Sequence, residues 1–445
     1  MAKRLTYYIL LGLVAGLVVG WILNASIDDG TAASAARLKD IAGYFSIVTS
    51  LFLRLIKMII APLVFSTLVV GIAHMGDTGA LGRVGLRSLG WFICASLLSL
   101  TLGMILVNVL QPGVGLALAI PPATASSGVD AAAFDLAKFI SHIVPDSMIA
   151  AMASNEILQI VVFSVFVGVA ITAVGEKAAP LVKAIEALVA VMLQITNYVM
   201  RFAPFAVFAA VTATLAERGP SILGDLGYFM LCFYLGLALL WALLIGIAFV
   251  LIGPRTRLLV RYIRDPLILA FSAASSEAAY PRTLEALDRF GVPPRIASFV
   301  LPLGYSFNLD GSMMYMTFAS LFIAQAYGIH MPIGQQIAML LVLMVTSKGI
   351  AGVPRASLVV IAGTLSMFKI PEAGILLILA VDHFLDMGRS ATNVIGNAVA
   401  ATVVAKWEGG LDEREPADRD FPHAPTGHGP KVALDSYDKI GPGQV

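Results

Sequence analysis

GYSFNLDGS, residues 304–312, interrupts an apolar segment that extends over residues 296–327. Asn308 and Asp310 stand inside this segment, where an unpaired polar group surrounded by hydrocarbon would cost several kcal/mol. An Asn-x-Asp-Gly break frees backbone carbonyls and adds a carboxylate, which suits a small cation, and Asp310 could instead hold a proton. A plain turn between two helices is the alternative explanation of the same residues.

The composition around this break indicates a membrane protein. Of the 445 residues 58% are hydrophobic and 13% are charged, whereas soluble domains carry about a quarter charged residues. The net charge of +1 gives no reason to expect a nucleic-acid partner. The cysteines and histidines lack metal-ligand spacing, and no phosphate loop or nucleophile motif occurs, so we expect no metal, no cofactor and no enzyme activity.

Eight segments are apolar and long enough to span a bilayer, which takes about 20 residues. They are 7–23, 44–72, 89–110, 157–174, 185–215, 228–252, 296–327 and 372–405. Arginine-rich segments at 83–87, 255–264 and 282–295 are expected on one face, and the bias of arginine towards short cytoplasmic loops predicts that both termini are cytoplasmic. The polar tail, 408–445, is expected to be disordered.

Two further segments, 265–290 and 333–370, are predicted to form re-entrant hairpins. Each has arms of about 10–16 residues, too short to span a bilayer, on either side of a polar or Gly/Pro-containing tip. Backbone at such a tip must line a cavity or be buried in protein, and a pair of interrupted segments is typical of a transporter's binding site. A hairpin precedes a helix twice, which suggests an inverted repeat over 265–405. The alternative is two ordinary buried helices with polar breaks.

The last apolar segment carries a stripe of polar side chains. Its members are Asp382, Asp386, Arg389, Ser390, Asn393 and Asn397. At about 100° per residue all but Ser390 fall on one helix face, and charged groups in mid-membrane are so costly that such a face lines an interior or a pathway. A solute with two carboxylates and an ammonium suits Arg389, which presents a fork to a carboxylate, and Asp386 as counter-charge. A purely structural ion pair between these two residues is the alternative.

Four segments together resemble the dicarboxylate/amino acid:cation symporter family, and within it the bacterial proton-coupled glutamate–aspartate symporters. The segments are Ser275-Ser276-Glu277 with Pro281, Asn308-Leu309-Asp310-Gly311, Gly349-Ile350-Ala351-Gly352-Val353-Pro354, and Asp386-Met387-Gly388-Arg389 with Asn393.

The resemblance implies an all-α polytopic membrane protein with eight transmembrane helices and two re-entrant helical hairpins, assembled as a homotrimer in the cell inner membrane. Residues 1–255 would form a six-helix part, mostly trimerisation scaffold, with the third helix in the transport domain. Residues 256–407 would form the transport core, which moves like an elevator against the scaffold, and 408–445 the cytoplasmic tail.

The resemblance also implies roles for single residues in binding a small anionic substrate. Ser275 and Ser276 would hold its main-chain carboxylate, and Asp386 its ammonium. Arg389 with Ser312 would hold the side-chain carboxylate. Asn393 would contact the polar backbone end, and Ser390 would complete the set. The second tip would close over the ligand as a gate, through Ala351, Gly352, Val353 and Pro354.

Asn308, Asp310, Glu277 and Asn397 are the candidates for cation or proton coupling, although Glu277 could equally be an interfacial side chain with access to water. Asn397 stands where sodium-driven relatives of the resembled family carry an aspartate, which removes a ligand that a hard cation needs. We therefore expect protons to be the coupling ion rather than sodium. The alternative function is a C4-dicarboxylate symporter, proton- or sodium-coupled, which Asp386 disfavours because it would repel a dianion. A channel or a structural membrane protein is the third possibility.

Overall fold

The structure is a computed structural model that describes residues 2–73, 78–115, 121, 141, 143–219, 226–347, 356–379 and 381–412. Within these ranges the regular elements are α-helices and short 3-10 turns, without a strand. The predicted gate, Ala351 to Pro354, and the tail after residue 412 lie outside the described residues.

Eight described helices lie in the N-terminal part of the chain. They are α1 (Ala2–Ile27), α2 (Ala32–Ala73), α3 (Thr78–Leu110), α4 (Met148–Ser154), α5 (Ile157–Val174), α6 (Ala179–Val199), α7 (Ala203–Arg218) and α8 (Gly227–Ile252). The predicted spans 7–23, 44–72, 89–110, 157–174 and 228–252 each lie within one helix. The predicted span 185–215 is instead divided between α6 and α7 by a 3-10 turn at Met200–Phe202. Pro204 explains this division, because proline lacks a backbone N–H and is favoured in the first turn of a helix.

Five stretches of the described chain are long and apolar enough to cross a membrane. They are Tyr7–Ile27, Ala32–Ala73, Leu81–Leu110, Ile157–Glu217 and Gly227–Ala273. The protein is thus a helical, multi-pass membrane protein.

Helix α1 packs very closely against α7. Gly12, Gly16 and Gly20 recur every four residues and so share one face of α1. A Cβ atom at these positions would lie 2.6, 2.7 and 2.9 Å, respectively, from backbone carbonyl oxygens of α7. Small residues at this spacing let two membrane helices approach at backbone distance and gain van der Waals contact where lipid supplies no hydrophobic driving force.

The C-terminal part also contains eight described helices. They are α9 (Thr256–Ala273), α10 (Tyr280–Phe290), α11 (Pro294–Phe307), α12 (Asp310–Ala326), α13 (Ile333–Thr346), α14 (Ala356–Met367), α15 (Ile375–Leu379) and α16 (Asp382–Trp407). The break predicted in 296–327 is confirmed, because α11 ends at Phe307 and α12 begins at Asp310. Helices α9 and α10 pack against each other, as do α13 and α14.

The first of these helix pairs, α9 and α10, is named hairpin 1 here. It differs from the predicted segment 265–290 at its start, since α9 begins at Thr256. The basic residues that suggested a loop, Arg257, Arg261 and Arg264, are therefore helical, with their charged side chains on an exposed face.

The predicted continuous span 372–405 is interrupted. A 3-10 turn at Glu372–Gly374 leads into the short helix α15, and α16 starts anew at Asp382. The break between α15 and α16 lies in a run of apolar residues without glycine or proline, so the local sequence did not predict it. Its consequence is that Asp382 occupies the first turn of a helix, where the positive end of the helix dipole stabilises a carboxylate.

Helix α16 lies at the centre of the C-terminal part. It contacts α3, α8, α9, α11 and α12, and every residue from Met387 to Ala405 is buried. Polar side chains on this helix therefore face protein, as the stripe in the sequence requires.

Candidate functional site

Arg389 is the counter-ion of two carboxylates on its own helix. Its Nη2 atom lies 3.1 Å from Asp382 Oδ1 and 3.0 Å from Asp386 Oδ1. Tyr315 of α12 closes the cluster, because its hydroxyl donates to Asp382 Oδ1 over 3.1 Å and its ring centroid lies 4.0 Å from Arg389 Cζ. Cation–π contact and two ion pairs thus hold one guanidinium between α12 and α16.

The three charged side chains differ sharply in exposure. Arg389 and Asp382 expose 3% and 6% of their side chains, whereas Asp386 exposes 40%. Nε and Nη1 of Arg389 have no hydrogen-bond partner in the part of the chain that the structure describes. Since nearly all buried donors in proteins are paired, this arginine retains donors for a further acceptor. The cluster therefore has an open carboxylate and a guanidinium that is only partly paired.

Asn393 joins the same helix to the start of α12. Its Oδ1 accepts from the backbone N–H groups of Gly311 (2.9 Å) and Ser312 (3.4 Å), and its Nδ2 donates to Ser312 Oγ over 3.4 Å. A Cβ atom on Gly311 would lie 2.5 Å from the Arg389 carbonyl oxygen, so only glycine permits this approach. Ser390, Ser312 and Asn393 are all buried beside the charged cluster.

Asp310 forms a second centre with Ser99 and Asn308. It is fully buried, Ser99 Oγ of α3 donates to its Oδ1 over 3.2 Å, and Asn308 Nδ2 donates to its Oδ2 over 3.0 Å. Asn308 Nδ2 also lies 3.4 Å from Asn397 Oδ1. The structure therefore brings together three of the four residues predicted for coupling.

Glu277, the fourth, lies in the tip of hairpin 1 with the two predicted serines. Ser275 Oγ accepts from the backbone N–H of Ala278 over 3.2 Å, and Ser276 is buried. Glu277 begins the 3-10 turn Glu277–Ala279, is half-buried, and experiences the charge of Lys57 on α2. Helix α9, which leads into this tip, packs against α16, the helix that carries the charged cluster.

Sequence reasoning missed three contributors. Asp382 belongs to the polar stripe but has no role of its own in the sequence analysis, and Tyr315 is not singled out there. The need of a buried tyrosine hydroxyl for a partner was the available signal. Ser99 was not singled out, because its partner Asp310 lies 211 positions away in the chain.

Comparison with known proteins gives a consistent result. The sequence model of the sodium:dicarboxylate symporter family matches residues 5–407. The chain is 38% identical to the proton/sodium-glutamate symport protein of Geobacillus stearothermophilus, over 92% of this chain and 96% of that protein. It is 39% identical to the proton/glutamate-aspartate symporter of Escherichia coli K12, over 92% and 94%. The C4-dicarboxylate transport protein of Laribacter hongkongensis is 37% identical, over 97% and 95%.

Proposed function

This chain belongs to the sodium:dicarboxylate symporter family and is a membrane transporter rather than an enzyme, and we propose that it imports glutamate or aspartate together with protons. The relatives named for glutamate and those named for C4-dicarboxylates have almost the same sequence identity to this chain. Sequence identity therefore does not distinguish between the two substrates. The choice rests on the side chains of the site.

The observation that carries the proposal is the partly paired guanidinium of Arg389 beside the open carboxylate of Asp386. An acidic amino acid brings a carboxylate for the first and an ammonium for the second. Binding would exchange the internal Asp386–Arg389 pair for two pairs with the substrate, so that no charge is left without a partner in the membrane interior. Asp382 and Tyr315 would hold the guanidinium in place during this exchange, because both contact it independently of Asp386.

The other predicted contacts complete this binding mode. Ser275 and Ser276 would hold the main-chain carboxylate, because hairpin 1 approaches α16 through α9. Ser312 and Asn393 would contact the substrate after releasing each other, since they are already within hydrogen-bond distance. The gate at 351–354 remains a prediction from the family resemblance.

Charge balance favours protons as the coupling ion. Asp382, Asp386 and Arg389 sum to one negative charge when ionised, and an acidic amino acid adds a second. Asp310 supports a proton site, because it is a fully buried carboxylate that accepts hydrogen bonds from the neutral side chains of Ser99 and Asn308. Hard cations are usually bound by six or more oxygens, whereas a proton needs one carboxylate.

The packing of the helices supports a division into a scaffold and a moving core, as an elevator motion requires. Helices α1, α2, α5, α6 and α7 pack mainly among themselves, whereas α3 packs against α12 and contacts α13 and α16. We therefore assign α3 to the moving core, with residues 256–407, and α8 joins it because it too packs against α16. The remaining N-terminal helices would form the scaffold of a homotrimer in the inner membrane. The arginine-rich segments support cytoplasmic termini.

Purified protein in liposomes tests the substrate and the coupling ion. An imposed inward pH gradient without sodium should drive accumulation of labelled aspartate, and a sodium gradient at equal pH should not. Transport of one aspartate with one proton moves no net charge across the membrane. With two protons it moves one positive charge, so the membrane potential changes the driving force by about 2.3 kcal/mol per 100 mV. Strict dependence on sodium would contradict proton coupling.

The alternative substrate, a C4-dicarboxylate, is decided by Asp386→Ser. We expect aspartate uptake to fall at least about a hundredfold, since an ammonium would lose its only ion pair in a poorly hydrated site, while succinate uptake is unchanged or rises. Asp40→Ser, at an exposed position on α2, is the matched control. Robust succinate uptake by the unchanged protein would favour the alternative, and equal losses of aspartate and succinate uptake in Asp386→Ser would refute the pairing of Asp386 with an ammonium.

A further inference from the structure

A cavity of about 120 Å³ lies between the start of α1 and the two helices of hairpin 1. Its lining shares no residue with the Asp386–Arg389 cluster or with the Asp310 centre. The side chains that define it are Leu5, Ile9, Arg261, Asp265, Arg282 and Arg289.

Each helix of hairpin 1 presents one stripe to this cavity. Arg261, Asp265 and Leu269 recur every four residues on α9, and Arg282 and Arg289 stand seven apart on α10, so each set shares a helix face. Because the two faces meet in one space, arginines from both arms of the hairpin converge there. The α1 residues add an apolar wall.

The carboxylates near the cavity have arginine partners already. Glu285 Oε2 lies 3.0 Å from Arg282 Nη1, and Asp265 Oδ1 lies 3.8 Å from Arg264 Nε. The other arm of the Arg282 guanidinium donates to Asn197 Oδ1 over 2.8 Å, which fixes its position.

Arg261 is different from these paired arginines. It is exposed, and no ion pair to it occurs among the described residues. The lining contains three arginines against two carboxylates, and Arg264 adds a fourth positive charge beside it. The cavity is therefore positively charged as well as partly apolar.

We propose that this cavity binds the phosphodiester headgroup of an anionic phospholipid, with an acyl chain lying along α1. Arginine is suited to phosphate because its fork donates two parallel hydrogen bonds. The space is well below the roughly 300–1,000 Å³ of pockets that enclose whole drug-sized molecules, which favours a headgroup over a free metabolite. Basic pockets between membrane helices on the cytoplasmic side are known to take anionic headgroups.

The surroundings of the cavity support a lipid in particular. Beyond Ile9, α1 exposes large apolar side chains over its whole length, including Leu10, Val14 and Trp21, and these offer a surface for an acyl chain. The bound lipid would connect α1 to hairpin 1 through a single ligand.

Native mass spectrometry of the purified protein tests the site. The protein is loaded with phosphatidylglycerol or with phosphatidylcholine of the same acyl chains, and the lipid-bound fraction is measured during titration. We expect tighter binding of phosphatidylglycerol in the unchanged protein, and a loss of about fivefold in affinity for each arginine removed in Arg261→Gln and in Arg261→Gln/Arg289→Gln. The matched control is Arg257→Gln/Arg201→Gln, which removes two exposed arginines outside the cavity and should change little.

Three results would overturn the proposal. Equal affinity for the two lipids would exclude a headgroup site, and equal losses in the control pair would show a general effect of surface charge. Displacement of phosphatidylglycerol by millimolar inorganic phosphate would identify a site for free phosphate instead. Arg261→Gln alone keeps the test valid if the double variant folds poorly, because Arg261 makes no ion pair with any described residue. The assay measures no transport, so its outcome is independent of the proposed function.

Discussion

Helices α1 and α16 have the same length, 26 residues, but they differ in exposure and in how they pack. Helix α1 exposes most of its large apolar side chains and contacts α7 through three glycines. Helix α16 is buried from Met387 to Ala405 and carries Asp382, Arg389, Asn393 and Asn397 into the protein interior. Helix α1 thus presents apolar side chains outward and packs by close backbone contact. Helix α16 is surrounded by protein and is held by ion pairs and amide hydrogen bonds.

These two kinds of packing predict different effects of substitution. In α1 the contacts are between backbones, so an added methyl group disturbs packing without touching the chemistry. In α16 several polar side chains have specific partners, as Asp382 has in Tyr315 and Asn393 in Ser312, so the loss of one leaves another buried group without compensation. We therefore expect variants of α1 to lower stability and variants of α16 to lower transport.

Arg389→Ala should have the largest effect. It leaves Asp382 and Asp386 facing each other without a counter-ion and removes the proposed carboxylate anchor, which would cost about 3–5 kcal/mol. Uptake of labelled aspartate in liposomes should fall by at least about two orders of magnitude. Arg389→Lys should restore little, because an ammonium cannot replace a planar fork. Arg257→Ala, at an exposed position on α9, is the control, and near-normal uptake by Arg389→Ala would refute the role of α16.

Gly396→Ala should have the next largest effect. A Cβ atom at this position would lie 1.8 Å from Asp310 Oδ2, so the carboxylate would have to leave its contacts with Ser99 and Asn308. We expect the uptake driven by a pH gradient to fall about tenfold or more, since removing a hydrogen-bonded arrangement of this kind costs more than about 1.4 kcal/mol. Gly90→Ala on α3, where a Cβ meets open space, should transport normally. Unchanged pH-driven uptake in Gly396→Ala would show that Asp310 is not needed for proton coupling.

The contrast between these two helices was only partly visible in the sequence. Polar residues inside apolar segments predicted the break at Asn308 and the buried stripe of α16, because lipid excludes unpaired polar groups. The break before Asp382 escaped prediction, since nothing in that apolar run disfavours a helix. Its cause lies in tertiary packing, which outweighs local propensity.

Partners within the site were harder to predict than its members. Periodicity placed Asp386 and Arg389 on one face, but it could not show that Asp382, two turns earlier, shares the same guanidinium nitrogen. The contact between Ser99 and Asp310 joins helices that are distant in the chain, and a periodic pattern carries no information on such pairs.

Gly16→Ala tests the α1 side of the comparison. The added Cβ would lie 2.7 Å from the Phe208 carbonyl oxygen, and overpacking of this kind costs about 1–3 kcal/mol. The apparent midpoint of thermal unfolding in detergent should fall by several degrees, while the affinity for aspartate stays unchanged. Gly43→Ala on α2, where no atom lies within 4 Å of the added Cβ, should leave the midpoint unaltered. A loss of affinity for aspartate in Gly16→Ala would contradict the expectation that packing of α1 affects stability but not transport.

Trp241→Phe should give the smallest effect, and it measures how strongly α8 is attached to α16. The indole Nε1 donates to Thr392 Oγ1 over 2.7 Å, and phenylalanine keeps most of the ring volume while removing this donor. We expect a loss of about 1 kcal/mol in stability, because the Thr392 hydroxyl still donates to the Gly388 carbonyl oxygen and is not stranded. Combining it with Thr392→Val in a double-mutant cycle isolates the bond, and a coupling energy near zero would show that packing alone holds α8 to the core. A measurable coupling would support α8 as part of the moving unit, since a helix that slid along α16 during transport could not keep a specific side-chain hydrogen bond to it.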